Sequence, residues 1–228
     1  LRADSSSHVL RYRGGKLVYG KGYGAAGSTL TATRVAVDSG GSASFIGSFT
    51  GSVNFGFGGP TAANAMGPDA FLLRVSSGGS SAWVKTFGNG KKITFHDVKV
   101  DSTGNVVLVG GFQGVVNIGT KTLTVPNAGI QSNAFVAQLS SAGTTNWALQ
   151  YGNSIANAAG ASVLGSLGIN PSGEILLAGS CYSNFDLGFP LPCAASGSPF
   201  LVMTSAQGAP LWGRSYGAGG GIGRASCR

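Results

Sequence analysis

Apolar residues along the chain fall into short runs separated by Gly, Ser, Asp and Asn. SFIGSF from Ser44, VVLVGGF from Val106 and ILLAGSC from Ile175 are almost continuously apolar. A strand with one wet face would alternate, so these runs predict inner strands buried on both sides. Before each of them a strand ends at Asp38, Asp101 or Asn170, and a turn follows through SGG, STGN or PSGE. Asp and Asn suit such a corner because their side chains accept from the backbone amides of the turn, while Gly accepts positive φ. A second set, AFLLRVSSGG from Ala70, AFVAQLSSAG from Ala134 and PFLVMTSAQG from Pro199, leads through a Ser/Gly turn into a strand carrying a Trp. Both sets read as β-hairpins. No segment keeps a helical period for more than about two turns.

The hairpins repeat. GGKLVYGKGYG from Gly14, GGSSAWVKTFG from Gly78, AGTTNWALQYG from Ala142 and QGAPLWGRSYG from Gln207 are one element four times over, with aromatic anchors Tyr19, Trp83, Trp147 and Trp212 spaced 64, 64 and 65 residues apart. The other element begins at Arg34, Asp97 and Ser166. Four antiparallel strands in about 64 residues, with one aromatic per unit, describe a propeller-type blade. Coils of a solenoid would repeat at a shorter period, and a sandwich would not repeat its sequence. The expected architecture is all-β, with a half blade over 1–24, repeats over 25–88, 89–152 and 153–217, and a Gly-rich tail over 218–228. Seven hairpins make about three and a half blades, fewer than the smallest closed ring. The chain is therefore expected to be an incomplete propeller on its own, covered by further copies in a homo-oligomer or by the rest of a larger chain.

Composition narrows the class. With 40 Gly in 228 residues but no three-residue period, collagen is excluded; with 43% hydrophobic and only 10% charged residues, so is intrinsic disorder. No stretch approaches the length of an apolar membrane-spanning helix, and the first residues, LRADSSSHVL, carry no signal-peptide core. The net charge of +8 is concentrated early, in Arg2, Arg11, Arg13, Lys16 and Lys21. Such an edge reads first as a solvated positive strand face, with an acidic partner, phosphate or polysaccharide as the alternative. A nucleic-acid groove would interleave more basic residues with aromatics, so no nucleic-acid partner is expected.

The same residues resemble a known family. VAVDSGG with GSFTGSVNFG and DAFLLRVSSGG with AWVKTFG, then VKVDSTGN, GGFQGVVNIG, NAFVAQLSSAG and NWALQYG, are similar to the seven-bladed β-propeller type repeats of large secreted bacterial proteins. The third unit diverges: Asn170-Pro171 replaces Asp-Ser, Cys181 stands where Phe49 and Phe112 stand, and Ser183 replaces Gly. The resemblance spans about Ser6 to Gly217. It implies a secreted scaffold and supplies no shared catalytic residues.

Chemistry-bearing residues are few. Neither His8, His96 nor the three Cys have metal-ligand spacing, and no cofactor motif is present. His96 beside Asp97 is too little for a triad in a Ser-rich chain. Asp38 and Asp101 occupy equivalent corners, which makes them turn residues before they are a glycosidase pair. DSTGN at Asp101 offers too few oxygens for calcium, and GAGGGIG from Gly217 lacks a following helix and reads as a linker. The anchors Tyr19, Trp83, Trp147 and Trp212 pack between blades or, alternatively, stack sugars once per blade. Cys181 and Cys193, 12 residues apart across the GFPLP turn, are expected to form a disulfide, which would leave Cys227 odd. The expected function is that of a secreted, non-enzymatic structural or interaction module in a surface assembly, fibre or adhesin, with a lectin-like carbohydrate-binding propeller as the alternative.

Overall fold

In the computed structural model, residues 7–57, 60–62, 68–88, 93–125, 132–152, 163–182, 185–187, 189–194, 196–217 and 222–224 are described. Arg2, Asp4 and Cys227 lie outside them. Among the described residues there is strand and turn but no helix.

β1 (Ser7–Arg13) and β2 (Lys16–Tyr23) form a hairpin by themselves. β3 (Thr29–Val37), β4 (Ala43–Thr50), β5 (Ser52–Asn54), β6 (Pro60–Ala62), β7 (Asp69–Val75) and β8 (Ser81–Phe87) make up the first full repeat. The second contains β9 (Ile93–Val100), β10 (Val106–Phe112), β11 (Val115–Ile118), β12 (Lys121–Thr124), β13 (Asn133–Leu139) and β14 (Thr145–Tyr151). The third contains β15 (Val163–Ile169), β16 (Ile175–Cys181), β17 (Phe185–Asp186), β18 (Pro190–Leu191), β19 (Ser198–Thr204) and β20 (Pro210–Ser215), and β21 (Ile222–Arg224) follows.

Each full repeat is a four-stranded antiparallel meander, β3-β4-β7-β8, β9-β10-β13-β14 and β15-β16-β19-β20. Two features go beyond the four expected strands. Each connection between the second and third strands carries its own small hairpin, β5–β6, β11–β12 or β17–β18. The Gly-rich tail, read from sequence as a linker, supplies β21, which pairs with β20 as a fifth strand.

The sheets pack face to face in chain order. β9 runs against β3 and β4 of the sheet before it, and β15 against β9 and β10. Three cores result. Val9 and Tyr23 of the first hairpin meet Phe71, Leu73 and Val75. The opposite side of the same sheet, through Ile46, Ala70 and Leu72, meets Val98, Leu108 and Phe135. Val107, Val109 and Val136 on the far side of the second sheet meet Leu177, Phe200 and Val202. Successive side chains of one strand thus enter different cores, which is why the apolar runs are continuous rather than alternating. β7 and β13 are buried at every residue.

Burial falls off at both ends of the stack. Val35 on β3 is 52% exposed, whereas Val98 and Leu167, one and two repeats on, are 0% and 4%. On the third sheet Leu176, Ala178, Leu201 and Met203 are half-buried, where their second-repeat counterparts Val107, Val109, Val136 and Gln138 are buried.

Cys181 and Cys193 are disulfide-bonded, with Cα atoms 5.9 Å apart. In the first repeat, Phe49 at the position of Cys181 meets Phe55 beside the small hairpin edge to face, centroids 5.4 Å apart. The bridge replaces that aromatic contact in holding the connection against the end of the sheet.

Candidate functional site

Two sets of turns give the molecule its regular polar and aromatic features. At the first, Asp38, Asp101 and Asn170 each close a five-residue turn in the same way. Backbone N–H groups of Asp38, Asp101 and Asn170 donate to Ser42, Asn105 and Glu174 carbonyls at 2.9, 2.9 and 3.0 Å. In return the Ser42, Asn105 and Glu174 N–H groups donate to the side-chain Oδ1 atoms at 2.8, 2.9 and 2.9 Å.

The carboxylates have a further partner 36 or 37 residues on. Arg74 donates to Asp38 Oδ2 and to Ser44 Oγ, and Gln138, its counterpart, donates from Nε2 to Asp101 Oδ2 at 3.3 Å. In the third repeat this strand position is Met203, which has nothing to donate, and the corner is the uncharged Asn170, whose Nδ2 donates instead to Glu174 at 2.7 Å. Burial disfavours the Asp101 anion, but hydrogen bonds from Thr103 and Asn105 outweigh it and hold the carboxyl below its usual range. Asp97 is similar: burial works against the charge, yet the N–H groups of Leu167 and Val98 and the Lys99 ammonium lower its pKa. Ser166 Oγ also donates to Asp97, at 3.1 Å. The neighbouring His96 turns away and bonds through Nδ1 to the Leu164 carbonyl at 2.6 Å, so no Ser-His-Asp relay forms here.

The second set of turns, between the third and fourth strands of each sheet, brings the aromatic anchors into a seam. Gly79, Gly143 and Gly208 sit at φ +87°, +84° and +81°. Each is a seat for the anchor of the preceding unit. A β-carbon on Gly79 would fall 2.7 Å from Tyr19 Cγ, one on Gly143 2.9 Å from Trp83 Cδ2, and one on Gly208 3.0 Å from Trp147 Cζ3. Glycine is thus required at these turns by conformation and by space together. Trp83 Nε1–H donates to the Ser141 carbonyl at 2.9 Å, while the buried Nε1 of Trp147 has no acceptor among the described residues. A second aromatic strengthens two of the seams: Tyr23 OH lies 3.3 Å from Ser81 Oγ, and Tyr151 OH donates to the Gly208 carbonyl at 3.0 Å. Burial pushes both phenols above their ordinary pKa.

The fourth anchor differs. Trp212 is 37% exposed, and Tyr216, the counterpart of Tyr23, Phe87 and Tyr151, is 42% exposed against 3%, 8% and 4%. Arg214 lies over the Tyr216 ring, 5.3 Å from its centroid.

A depression of about 220 Å³ opens beside the second seam, lined by Lys85, Phe87, Gly119, Thr120, Leu139, Gly143, Thr144 and Thr145. Lys85 is its one ionisable residue, so it holds no acid–base pair, and it is smaller than a usual small-molecule pocket. No group of three or more His, Cys, Asp or Glu among the described residues converges on a metal-sized space. Sequence reasoning had named the corners and the anchors but missed Arg74 and Gln138 as the partners of the corners. The regular 64-residue offset between them was the available signal.

No protein-family model matches the chain, and no curated protein matches it. Among solved structures, it aligns with the crystal structure of a protein of unknown function from Bacteroides caccae at 12% identity over 94% of each chain. The TM-score of that pair is 0.23, which supports no argument about fold or function.

Proposed function

We propose that the protein is a non-enzymatic structural or interaction module built of β-propeller-type blades, exported to an oxidising compartment and working in a surface assembly, fibre or adhesin. The observation that carries this reading is the seam: Tyr19, Trp83 and Trp147 each lie on the glycine turn of the following unit. The most distinctive repeated side chains therefore serve the joint between sheets. The repeated carboxylates are likewise occupied, in turns and in bonds to Arg74 and Gln138. The Cys181–Cys193 disulfide fits export, since such bonds persist where thiols are not kept reduced. The resemblance to secreted bacterial β-propeller repeats supports the same reading.

A sugar-binding propeller would instead present one free ring face per blade. Tyr19, Trp83 and Trp147 each lie on a glycine turn, and the indole N–H that would meet a sugar hydroxyl is bonded to Ser141 in Trp83 and buried in Trp147, which favours the joint. The test pairs stability with binding. Trp147→Ala is expected to unfold at markedly lower urea concentration, and the intact protein is expected to leave a glycan array blank. A Trp147→Ala protein that melts like the parent but loses a glycan would overturn the proposal.

A further inference from the structure

The three seams inside the chain use equivalent positions but are not closed in the same way. Two residues after each seated ring stands Lys21, Lys85 or Leu149, and two residues later Tyr23, Phe87 or Tyr151. Two residues before the next ring stands Ser81, Thr145 or Pro210. In the first seam these groups bond to one another and to the backbone. Tyr23 OH lies 3.3 Å from Ser81 Oγ, Ser81 Oγ donates to the Phe55 carbonyl at 2.7 Å, and Lys21 Nζ donates to the Gly79 carbonyl at 3.5 Å. In the third, Tyr151 OH donates to the Gly208 carbonyl at 3.0 Å, and Leu149 packs so closely on Gly208 that a β-carbon there would stand 2.7 Å from Leu149 Cδ1. The second seam has the ring without the hydroxyl, Phe87. Among the described residues, neither the Lys85 ammonium nor the Thr145 hydroxyl has a hydrogen-bond partner, and the paired carboxylates Asp38 and Asp97 are matched to Arg74 and Lys99. The depression of about 220 Å³ lies at this place.

We propose that this depression binds a compact carboxylate, a free acid of a few carbons. Its walls come from three elements: Lys85 and Phe87 from β8, Thr120 from the turn between β11 and β12, and Leu139, Thr144 and Thr145 from the hairpin of β13 and β14. Lys85 supplies the charge, and the threonine hydroxyls donate to the carboxylate oxygens. The aliphatic body of the acid rests on Phe87 and Leu139, which are 8% and 1% exposed. Asp69 does not compete for the lysine, because it lies against Gly88 and alternation along β7 turns it to the other face from Ala70 and its partner Phe87. The volume is below the ~300 Å³ at which pockets begin to hold drug-sized ligands, so the fit is to a small acid rather than to an oligosaccharide. Because the walls belong to two neighbouring sheets and a small hairpin, the bound acid ties them together and stabilises the second seam by mass action.

The test titrates the full chain with sodium propionate at constant ionic strength and follows its backbone amides by NMR. Saturable shifts are expected at Phe87, Gly119, Thr144 and Thr145, with a dissociation constant on the order of 1 mM for so small a ligand. Propionamide keeps the shape without the charge, and sulfate keeps charge without the aliphatic body; each is expected to bind at least about tenfold more weakly. Lys85→Gln, at an exposed position, should weaken propionate binding at least about tenfold. Phe87→Tyr should abolish it without lowering the melting temperature, because the new hydroxyl takes the place that Tyr23 OH holds beside Ser81. A melting curve of each variant without propionate checks that it folds. The proposal is overturned if these amides show no saturable shift, if propionamide or sulfate matches propionate, or if either variant binds propionate as the parent does. None of these outcomes bears on Trp147→Ala, which tests the seam as a joint.

Discussion

The six-membered ring of Trp83 rests on the backbone of Gly143, so closely that a β-carbon there would stand 2.9 Å from Cδ2. The indole N–H reaches the same turn through the Ser141 carbonyl. A side chain from one repeat is thereby fitted to a turn conformation in the next, and the sheets cannot slide without breaking both contacts.

Gly143→Ala should therefore lower stability by about 2 to 4 kcal/mol, combining the strain of a left-handed non-glycine residue with overpacking against the ring. Gly168, where a β-carbon meets nothing within 4 Å, is the control, and Gly168→Ala should change stability by less than about 1 kcal/mol. Urea denaturation of both variants checks the contrast.

The two seated tryptophans should respond differently to loss of the indole N–H. Trp83→Phe removes a hydrogen bond to the exposed Ser141 turn, whereas Trp147→Phe removes a buried donor that has no partner among the described residues. The first is expected to cost about 1 kcal/mol more than the second. Trp147→Ala should cost about 3 kcal/mol, from lost packing area and the cavity left behind. Trp212→Ala should cost less than Trp147→Ala, because the Trp212 ring is 37% exposed and lies on no glycine turn among the described residues.

Reduction of the Cys181–Cys193 bridge should lower stability by about 3 kcal/mol in the chain-entropy description of a loop this size. The comparison is a urea melt of the parent against Cys181→Ala with Cys193→Ala, both with and without reductant. A peptide map without reductant should find Cys181 and Cys193 joined.

Acid should act through Asp97 and Asp101, both with pKa lowered in the fold from 3.8. A folded-state pKa below the unfolded one means that the stabilisation is complete well above pH 4 and is lost as pH falls through the folded values. Asp101→Asn should fold, since Asn170 closes the same corner, and its stability should fall less steeply than the parent's between about pH 5 and 3. At the alkaline end the sign reverses. The raised pKa of the Tyr151 phenol gives stability that is present below pH 10 and lost above it. Tyr151→Phe, which places the residue found at Phe87, should flatten that loss while giving up about 1 kcal/mol of hydrogen bonding to Gly208.

The hairpins and their corners were legible because each is a local event: Asp38, Asp101 and Asn170 bond to amides four residues on, and the turn residues announce it. Inner strands were legible because burial on two faces erases alternation, as in VVLVGGF, where six of seven residues are buried. The small hairpins β5–β6, β11–β12 and β17–β18 were not, since two to four residues per strand leave no periodic trace. Nor could composition say which face of Trp83 meets which turn, because Ser141 lies 58 residues away and is an ordinary turn residue until the sheets are stacked. The pairing of Arg74 with Asp38 escaped for the same reason, although the change to Met203 and Asn170 together in the third repeat records it.

Because Tyr19, Trp83 and Trp147 are each seated on the unit that follows, each 64-residue unit has a donor side and an acceptor side built at the same positions from copy to copy. Duplicating or deleting one whole unit joins a donor to an acceptor as before, with no new surface to invent. A change in the number of units would keep a ring and a glycine turn together at each joint, whereas an insertion out of phase with the period would part them.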